Sequence, residues 1–375
     1  MPAALGATVL CASAPFLMGS QGWDDHTRHN RFTARDFAID YLESCAPNAI
    51  LFTQGDNDTY PLWYAQEVEG VRPDIRIINL SLLGVDWYID QLNYKINDAP
   101  PLKLTFKPEQ YNGSNRDVVR YKSDPRIPAG QPVELKKVMQ FIASENQRDK
   151  VMYQNGESEN YLPTKNFVVE IDTNKAKAMN MLAPEDYGQM VPYLNWTIDN
   201  NALLKNDLLT LDIVANNIME RPIYFAVSVA PEAYLGLEKY FQLEGLSYHV
   251  VPKINPSNSP YSAPPRVDVM YENMMKKFKF GGITENPKVN LDENILRMTV
   301  NIRGNFGRLA EALLVKGEKE KAAEVIDYSL KSMPSDRVPH SVFDYNYPEI
   351  YYAAGQKEKG RKLLTEMLDK ANDEL

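Results

Sequence analysis

A chain of 375 residues with 44% hydrophobic and 24% charged residues has room for two or three domains and enough apolar content to bury a core in each. Its formal net charge of -9, from 41 basic and 50 acidic residues, argues against a nucleic-acid partner, which needs a basic footprint. Two cysteines without CxxC spacing and four histidines without an HExxH pattern argue against a disulfide framework or a zinc site, and no cofactor or metal is expected.

Residues 3–18, AALGATVLCASAPFLM, are almost wholly apolar. The stretch is shorter than the roughly 20 residues of a full span, and it lacks the basic start of a signal peptide. It reads either as a signal-like segment or as the tail of a membrane helix whose beginning is missing; Pro15 is compatible with the latter. Residues 1–22 are therefore assigned to an anchor. Trp23 then falls where interfacial aromatics are favoured. With Asp24, Asp25, His26 and Arg28 it forms a polar cluster that either binds a headgroup or sugar or is a solvated link with internal ion pairs. Residues 33–44 place Phe37, Ala38, Tyr41 and Leu42 at helical spacing.

The chain is organised around residues 48–64, NAILFTQGDNDTYPLWY. An apolar run at 49–52 predicts a strand, a polar turn follows, and a helix opens near Pro61 and runs to Glu69. Gly55 suits a positive φ in the turn, Asp58 or Thr59 suits the helix cap, and Pro61 suits the first helical turn. Residues 75–80 predict a second strand, 82–86 a second turn and 87–94 a helix. Strand and helix alternate as in a parallel α/β sheet, with both turns side by side at the strands' carboxyl ends, where ligands bind. Asp56, Asn57, Asp58, Asp86, Trp63 and Trp87 are the candidate ligand-binding residues. Carboxylates and amides hydrogen-bond sugar hydroxyls, and tryptophan faces offer apolar area to a sugar ring. The competing reading makes the turn pure architecture and both tryptophans core residues.

Residues 98–165, broken by Pro100, Pro101, Pro108, Pro125, Pro128 and Pro132, predict an insertion with a few short strands and one amphipathic helix at 133–144. Residues 167–171 predict a buried strand, 202–217 a helix and 222–229 another strand, with Asn216, Asn217 and Arg221 as loop chemistry. The α/β domain is expected over 23–252, and a linker and helix over 253–289. Residues 290–375 contain a repeat: GEKEKA at 317–322 recurs as GQKEKG at 355–360, 38 residues on. Each copy predicts helix, glycine turn and helix, as in tetratricopeptide repeats. The expected fold is thus a mostly parallel α/β sheet with helices on both faces, followed by an all-helical region.

GWDDHTR at 22–28, residues 45–92, RPIYFAVS at 221–228 and LEGLSYHVVP at 243–252 carry a family likeness. The chain resembles the multi-spanning membrane proteins of Bacteroidetes-type bacteria that are similar to the protein O-mannosyltransferases of glycosyltransferase family 117. The resemblance implies the extracytoplasmic C-terminal portion of such a protein, on the periplasmic side of the inner membrane, with the catalytic membrane half lying outside this chain. No catalytic residue is assigned, and whether the chain is itself an enzyme stays open. The implied role is to position an acceptor polypeptide or glycan beside the membrane half, with a further protein partner at the helical repeats. Two alternatives stand beside it: a stand-alone hydrolase or metal-binding domain using the GDND turn, since hard cations favour clustered carboxylates, and a structural envelope scaffold acting through the repeats.

Overall fold

The computed structural model describes residues 2–373 apart from 28, 155, 258 and 285–288. It divides into two compact units, residues 38–277 and residues 1–37 with 278–375.

The chain begins with helix α1 (Pro2–His26). Its stretch Pro2–Trp23, 22 residues with mean hydropathy 1.5 and none of it buried, is long and apolar enough to cross a membrane. At about 1.5 Å per residue it rises roughly 33 Å, against a hydrocarbon core of about 30 Å. This corrects the expectation of too short a stretch: Gly19, Ser20, Gln21 and Gly22 carry no charge and continue the helix. Trp23 is exposed on it. Of Asp24, Asp25 and His26 only the helical backbone is described, and Arg28 lies outside the described residues.

Next come α2 (Thr33–Glu43), β1 (Ile50–Thr53), α3 (Asp56–Glu67), β2 (Arg76–Asn79) and α4 (Asp86–Leu92). The following residues carry α5 (Pro108–Tyr111), β3 (Val118–Arg120), β4 (Val133–Glu134), α6 (Leu135–Ala143), β5 (Lys150–Met152), β6 (Ser158–Asn160), β7 (Asn166–Glu170), α7 (Thr173–Ala178), β8 (Tyr193–Thr197) and β9 (Ala202–Leu204). The α/β unit closes with α8 (Lys205–Asn217), β10 (Ile223–Ala226), β11 (Phe241–Leu243), β12 (Ser247–Val250) and α9 (Val267–Glu272).

The main sheet has the order β11-β12-β10-β1-β2. β10, β1 and β2 run parallel, as expected for the runs at 49–52 and 75–80 from the alternation of strand and helix, and β12 and β11 add antiparallel to β10. Alternation along the strands divides the faces. One face stacks Phe52 on Phe225 at 4.7 Å and Phe241 on Tyr248 at 5.1 Å, with Tyr234 edge-on to Phe225 and Phe241. The opposite face carries Leu51 beside Tyr224, and His249 beside both Tyr224 and Gln242. Helices flank the sheet, so its central strands are buried on both faces.

Residues 166–170 form a strand, but not the fully buried one expected. β7 pairs with β4 and β8 in a separate small sheet, and burial alternates along it because only one face meets a core. Residues 202–204, expected to be helical, are strand β9, paired with β3. Arg221 and Asn217 are more than loop chemistry. Arg221 donates to the carbonyls of Asn48 (2.6 Å), Ala49, Asp74 and Pro100, joining the entrances of β1 and β2. Burial pushes its guanidinium down to about 10. Asn217 exchanges hydrogen bonds with the backbone of Lys103.

The second unit ends in two helical hairpins, α10 (Glu293–Val315) with α11 (Lys319–Ser332), and α12 (Tyr347–Ala353) with α13 (Lys357–Asp373). Their turns are copies. Gly317 has φ 78° and Gly355 has φ 82°. Gly317 N–H bonds Leu314 O and Glu318 N–H bonds Leu313 O; Gly355 and Gln356 repeat this on Tyr352 and Tyr351. These paired bonds close a helix on a left-handed residue, which is why glycine recurs there.

Candidate functional site

The carboxyl ends of β1 and β2 bring the two predicted turns together. Asn79, at the end of β2, donates its side-chain amide to Gly55 O (3.3 Å) and to the Thr59 hydroxyl (3.1 Å), and Thr59 also meets Thr53 Oγ1 at 2.8 Å. Gly55 takes the expected left-handed conformation, with φ 76°. Helix α3, however, starts at Asp56 with Gly55 as its N-cap, and no side chain caps it. Asp58 and Thr59 are therefore inside its first turn rather than caps, and Pro61 lies one turn further in than expected. The physical reason is that acidic side chains are favoured in a first turn, where they face the positive end of the helix dipole.

The three GDND side chains separate. Asp56 and Asn57 are exposed, whereas Asp58 is buried. Asp58 accepts a short hydrogen bond from Ser228, and the Tyr41 hydroxyl bonds Ser228 at 3.2 Å. Burial pushes the Asp58 carboxyl up, the Ser228 bond opposing this only in part. Asp86, expected in the second turn but in fact the first residue of α4, also has structural partners. It accepts from Gly113 N–H (2.6 Å) and Lys205 Nζ (3.4 Å), and the Gly113 bond, with Lys205 nearby, holds its carboxyl down. Among the described residues, no group of three or more His, Cys, Asp or Glu is arranged to hold a metal.

The tryptophans do converge. Trp63 of α3 and Trp87 of α4 line one groove of about 290 Å3 beside β2, the edge strand of the sheet. Trp63 is half-buried and Trp87 is 53% exposed, so neither is a sealed core residue. Trp87 stands edge-on to Tyr88 at 5.7 Å. Ile75, Ile77 and Ile96 complete an apolar floor; Gln66, Glu67, Arg76, Gln91 and Asn97 supply the polar rim. Several rim groups are fixed in place: Arg76 donates to Gln91 O (2.7 Å) and Tyr94 O (3.1 Å), Gln66 to Arg72 O and Ile75 O, and Asn97 to Glu67 at 2.6 Å. A groove with two aromatic walls and a preorganised polar rim suits a ligand with one apolar face and several hydroxyl or amide groups.

A family model described as TMEM260-associated domain 2 matches residues 34–269. The chain belongs to this family. No curated protein and no solved structure matches it. The span shared with TMEM260-associated domain 2 takes in α3, α4 and the tryptophan groove between them, together with the whole main sheet. The chain is thus a domain of a TMEM260-like membrane protein, and the apolar helix α1 fits that setting.

One polar cluster was not singled out by local sequence signals. Glu244, at the end of β11, is buried. It accepts from the Tyr224 hydroxyl (2.6 Å), meets His249 Nδ1 at 3.1 Å and lies 3.7 Å from Arg266. Burial alone would push its carboxyl up; His249, Arg266 and Tyr224 outweigh this and hold it down. Tyr224 stacks on His249 with centroids 4.3 Å apart. The adjoining cavity, about 400 Å3, is also lined by Cys45, whose thiol burial pushes up to about 12, far from nucleophilic. Within LEGLSYHVVP the acid and the histidine are five residues apart, but their meeting depends on the β11–β12 pairing, which no short motif encodes.

Proposed function

We propose that this chain is the non-catalytic extracytoplasmic domain of a membrane glycosyltransferase of the protein O-mannosyltransferase type, and that it holds an acceptor glycan or glycosylated polypeptide. The observation that carries the reading is the groove in which Trp63 and Trp87 face one volume beside the edge strand. α1 would sit in the inner membrane, with the chain after it on the periplasmic side, next to the membrane half of the parent protein. The helical hairpins, tetratricopeptide-like in their 38-residue repeat, would receive a protein partner. The dispersal of Asp56, Asn57 and Asp58 favours this reading over a hydrolase or metal site built on the GDND turn.

The test is calorimetric titration of the full chain in detergent with a hexose oligosaccharide. Trp87→Ala should weaken binding about tenfold or more, because an exposed aromatic face supplies stacking area without holding the core. Its unfolding free energy should stay within about 0.5 kcal/mol of wild type. No binding by the wild-type chain, or binding by Trp87→Ala and Trp63→Ala equal to that of wild type, overturns the groove as a sugar site.

A further inference from the structure

Strands β3 and β6 face each other across a polar cavity of about 750 Å3, lined by Val118, Val119 and Arg120 on one side and Ser158, Glu159 and Asn160 on the other. Each strand already pairs on its far side, β3 with β9 and β6 with β5. The hydrogen bonds fix which backbone groups remain. Tyr121 N–H bonds Asn201 O at 2.9 Å and Lys205 N–H bonds Asp117 O at 3.0 Å, so residues 117, 119 and 121 turn to β9. By alternation Val118 and Arg120 turn to the cavity. Tyr153 N–H bonds Glu157 O at 2.9 Å, so residues 157 and 159 turn to β5, and Ser158 and Asn160 turn to the cavity.

The two edges are zipped at one end only. Leu162 N–H bonds Arg120 O at 2.9 Å, and Lys122 N–H bonds Leu162 O at 3.0 Å, around a parallel bridge between Tyr121 and Leu162. Among the described residues the ladder stops there, and the strands splay around the cavity instead of continuing. Four basic residues, Lys107, Arg116, Arg120 and Lys150, line the cavity together with four acidic ones, Glu109, Asp117, Glu145 and Glu159. Glu145 takes Arg116 at 2.8 Å and Lys150 at 2.7 Å, and Arg120 meets Glu159 at 3.4 Å. Equal numbers of the two signs leave the cavity without a net charge to select an ionic ligand.

We propose that this cleft binds an extended, uncharged, polar polypeptide segment by strand addition, the segment inserting between β3 and β6. Two facing edges repeat their N–H and C=O groups every second residue, about 6.8 Å apart, a spacing that a polypeptide strand matches on both of its sides and a sugar chain does not. Ser158 and Asn160 line the walls with small polar groups, which select polar side chains over large apolar ones. The site is separate from the tryptophan groove and stands whether or not that groove binds sugar.

The experiment uses the full chain and an acetylated ten-residue serine–threonine repeat peptide, followed by amide hydrogen exchange. With about 1 mM peptide, roughly ten times a Kd of about 0.1 mM, the amides of Val118, Arg120, Ser158 and Asn160 should exchange about tenfold more slowly, and that of Val119 should be unchanged. The same peptide N-methylated at alternate residues should bind about tenfold more weakly, since it loses donors on one edge. Val118→Pro removes a cavity-facing N–H without touching the β9 ladder and should weaken the unmodified peptide similarly. Four unprotected amides, equal binding of the N-methylated peptide, or the same protection from a hexose oligosaccharide overturns the proposal. Absence of sugar binding by the wild-type chain with peptide protection intact leaves it standing and fails only the groove.

Discussion

A buried cation ties down irregular chain in each unit, Lys205 in one and Arg303 in the other, and the two are set differently. In the α/β unit Lys205, at the start of α8, donates to Tyr111 O (2.7 Å) and Gly113 O (2.8 Å) and meets Asp117 at 2.7 Å and Asp86 at 3.4 Å. Its side chain is 4% exposed, but those of Asp86 and Asp117 are 38% and 54% exposed. In the helical unit Arg303 of α10 is wholly buried with its counter-ion Asp344. It donates to Asp344 (3.0 Å), Pro339 O (3.0 Å), Val338 O (2.8 Å) and Met333 O, holding the 14-residue link between α11 and α12 from one point. His340 Nδ1, at 2.7 Å from Asp344, and Ser341 N–H complete that carboxylate's shell. A lysine with half-wet partners pins a turn; a sealed arginine with a sealed acid defines the whole path of a loop.

The comparison breaks most sharply at Arg303. Arg303→Met should destabilise the helical unit by about 3–5 kcal/mol, because it strips a buried acid and three carbonyls of their donor. Lys205→Met should cost the α/β unit about 1–3 kcal/mol, since water can reach both of its acids. Denaturant midpoints of the two variants, followed by hydrogen exchange in each unit, decide this; an equal or reversed order would show that the exposure of the partners does not matter.

Acid sharpens the same contrast. Burial would raise the Asp344 carboxyl, but the bonds from His340 and Ser341 and the charge of Arg303 hold it down. Its contribution is therefore present above the ordinary carboxylate range and is lost as pH falls through the lowered folded value. Asp212, on α8, is the opposite case. Burial pushes it up from 3.8 to about 6, although Thr105 and Asn216 donate to it. Its contribution is present below 3.8 and lost as pH rises through about 6. Asp212→Asn should stabilise the α/β unit by about 2 kcal/mol at pH 7, and much less at pH 4. Unfolding scans at both values check the sign.

Smaller effects test the GDND helix and the repeat. Asp58→Ala should lose about 1–3 kcal/mol, as Ser228 is left without its buried acceptor. Gly317→Ala and Gly355→Ala should each lose roughly 1 kcal/mol, and by similar amounts, because both occupy the same left-handed position. Asp56→Asn, at an exposed position, should stay within about 0.5 kcal/mol of wild type. If that same change abolishes glycosyl transfer by the intact parent protein, Asp56 binds ligand.

What was legible in the sequence was local and periodic. The runs at 49–52 and 75–80 announce buried parallel strands, and the recurrence of Gly317 at Gly355 announces two hairpins, because each signal lies within one element. The missed features are pairings at long range. Asp58 finds Ser228 across 170 residues, and Lys205 finds Tyr111 across 94. Short strands such as 202–204 have too few residues to show a period, so the helix that follows claimed them. The tryptophans were legible as a pair following successive strands, but the groove between them depends on β2 lying at the sheet edge, which strand order alone decides.

That edge position carries a further consequence, for solubility. A bare edge strand invites a second molecule to zip on, yet on β2 the outward groups are already taken. Asn79 N–H goes to the Tyr88 hydroxyl at 2.8 Å, and Ile75 O takes the Gln66 amide at 2.9 Å. Between them only the rung at Ile77 faces outward, and the guanidinium of Arg76 stays beside it, bonded to Gln91 and Tyr94. An incoming strand would gain one rung and displace two side chains and a charge, so crowded copies of this protein are guarded against sheet-to-sheet association along this margin.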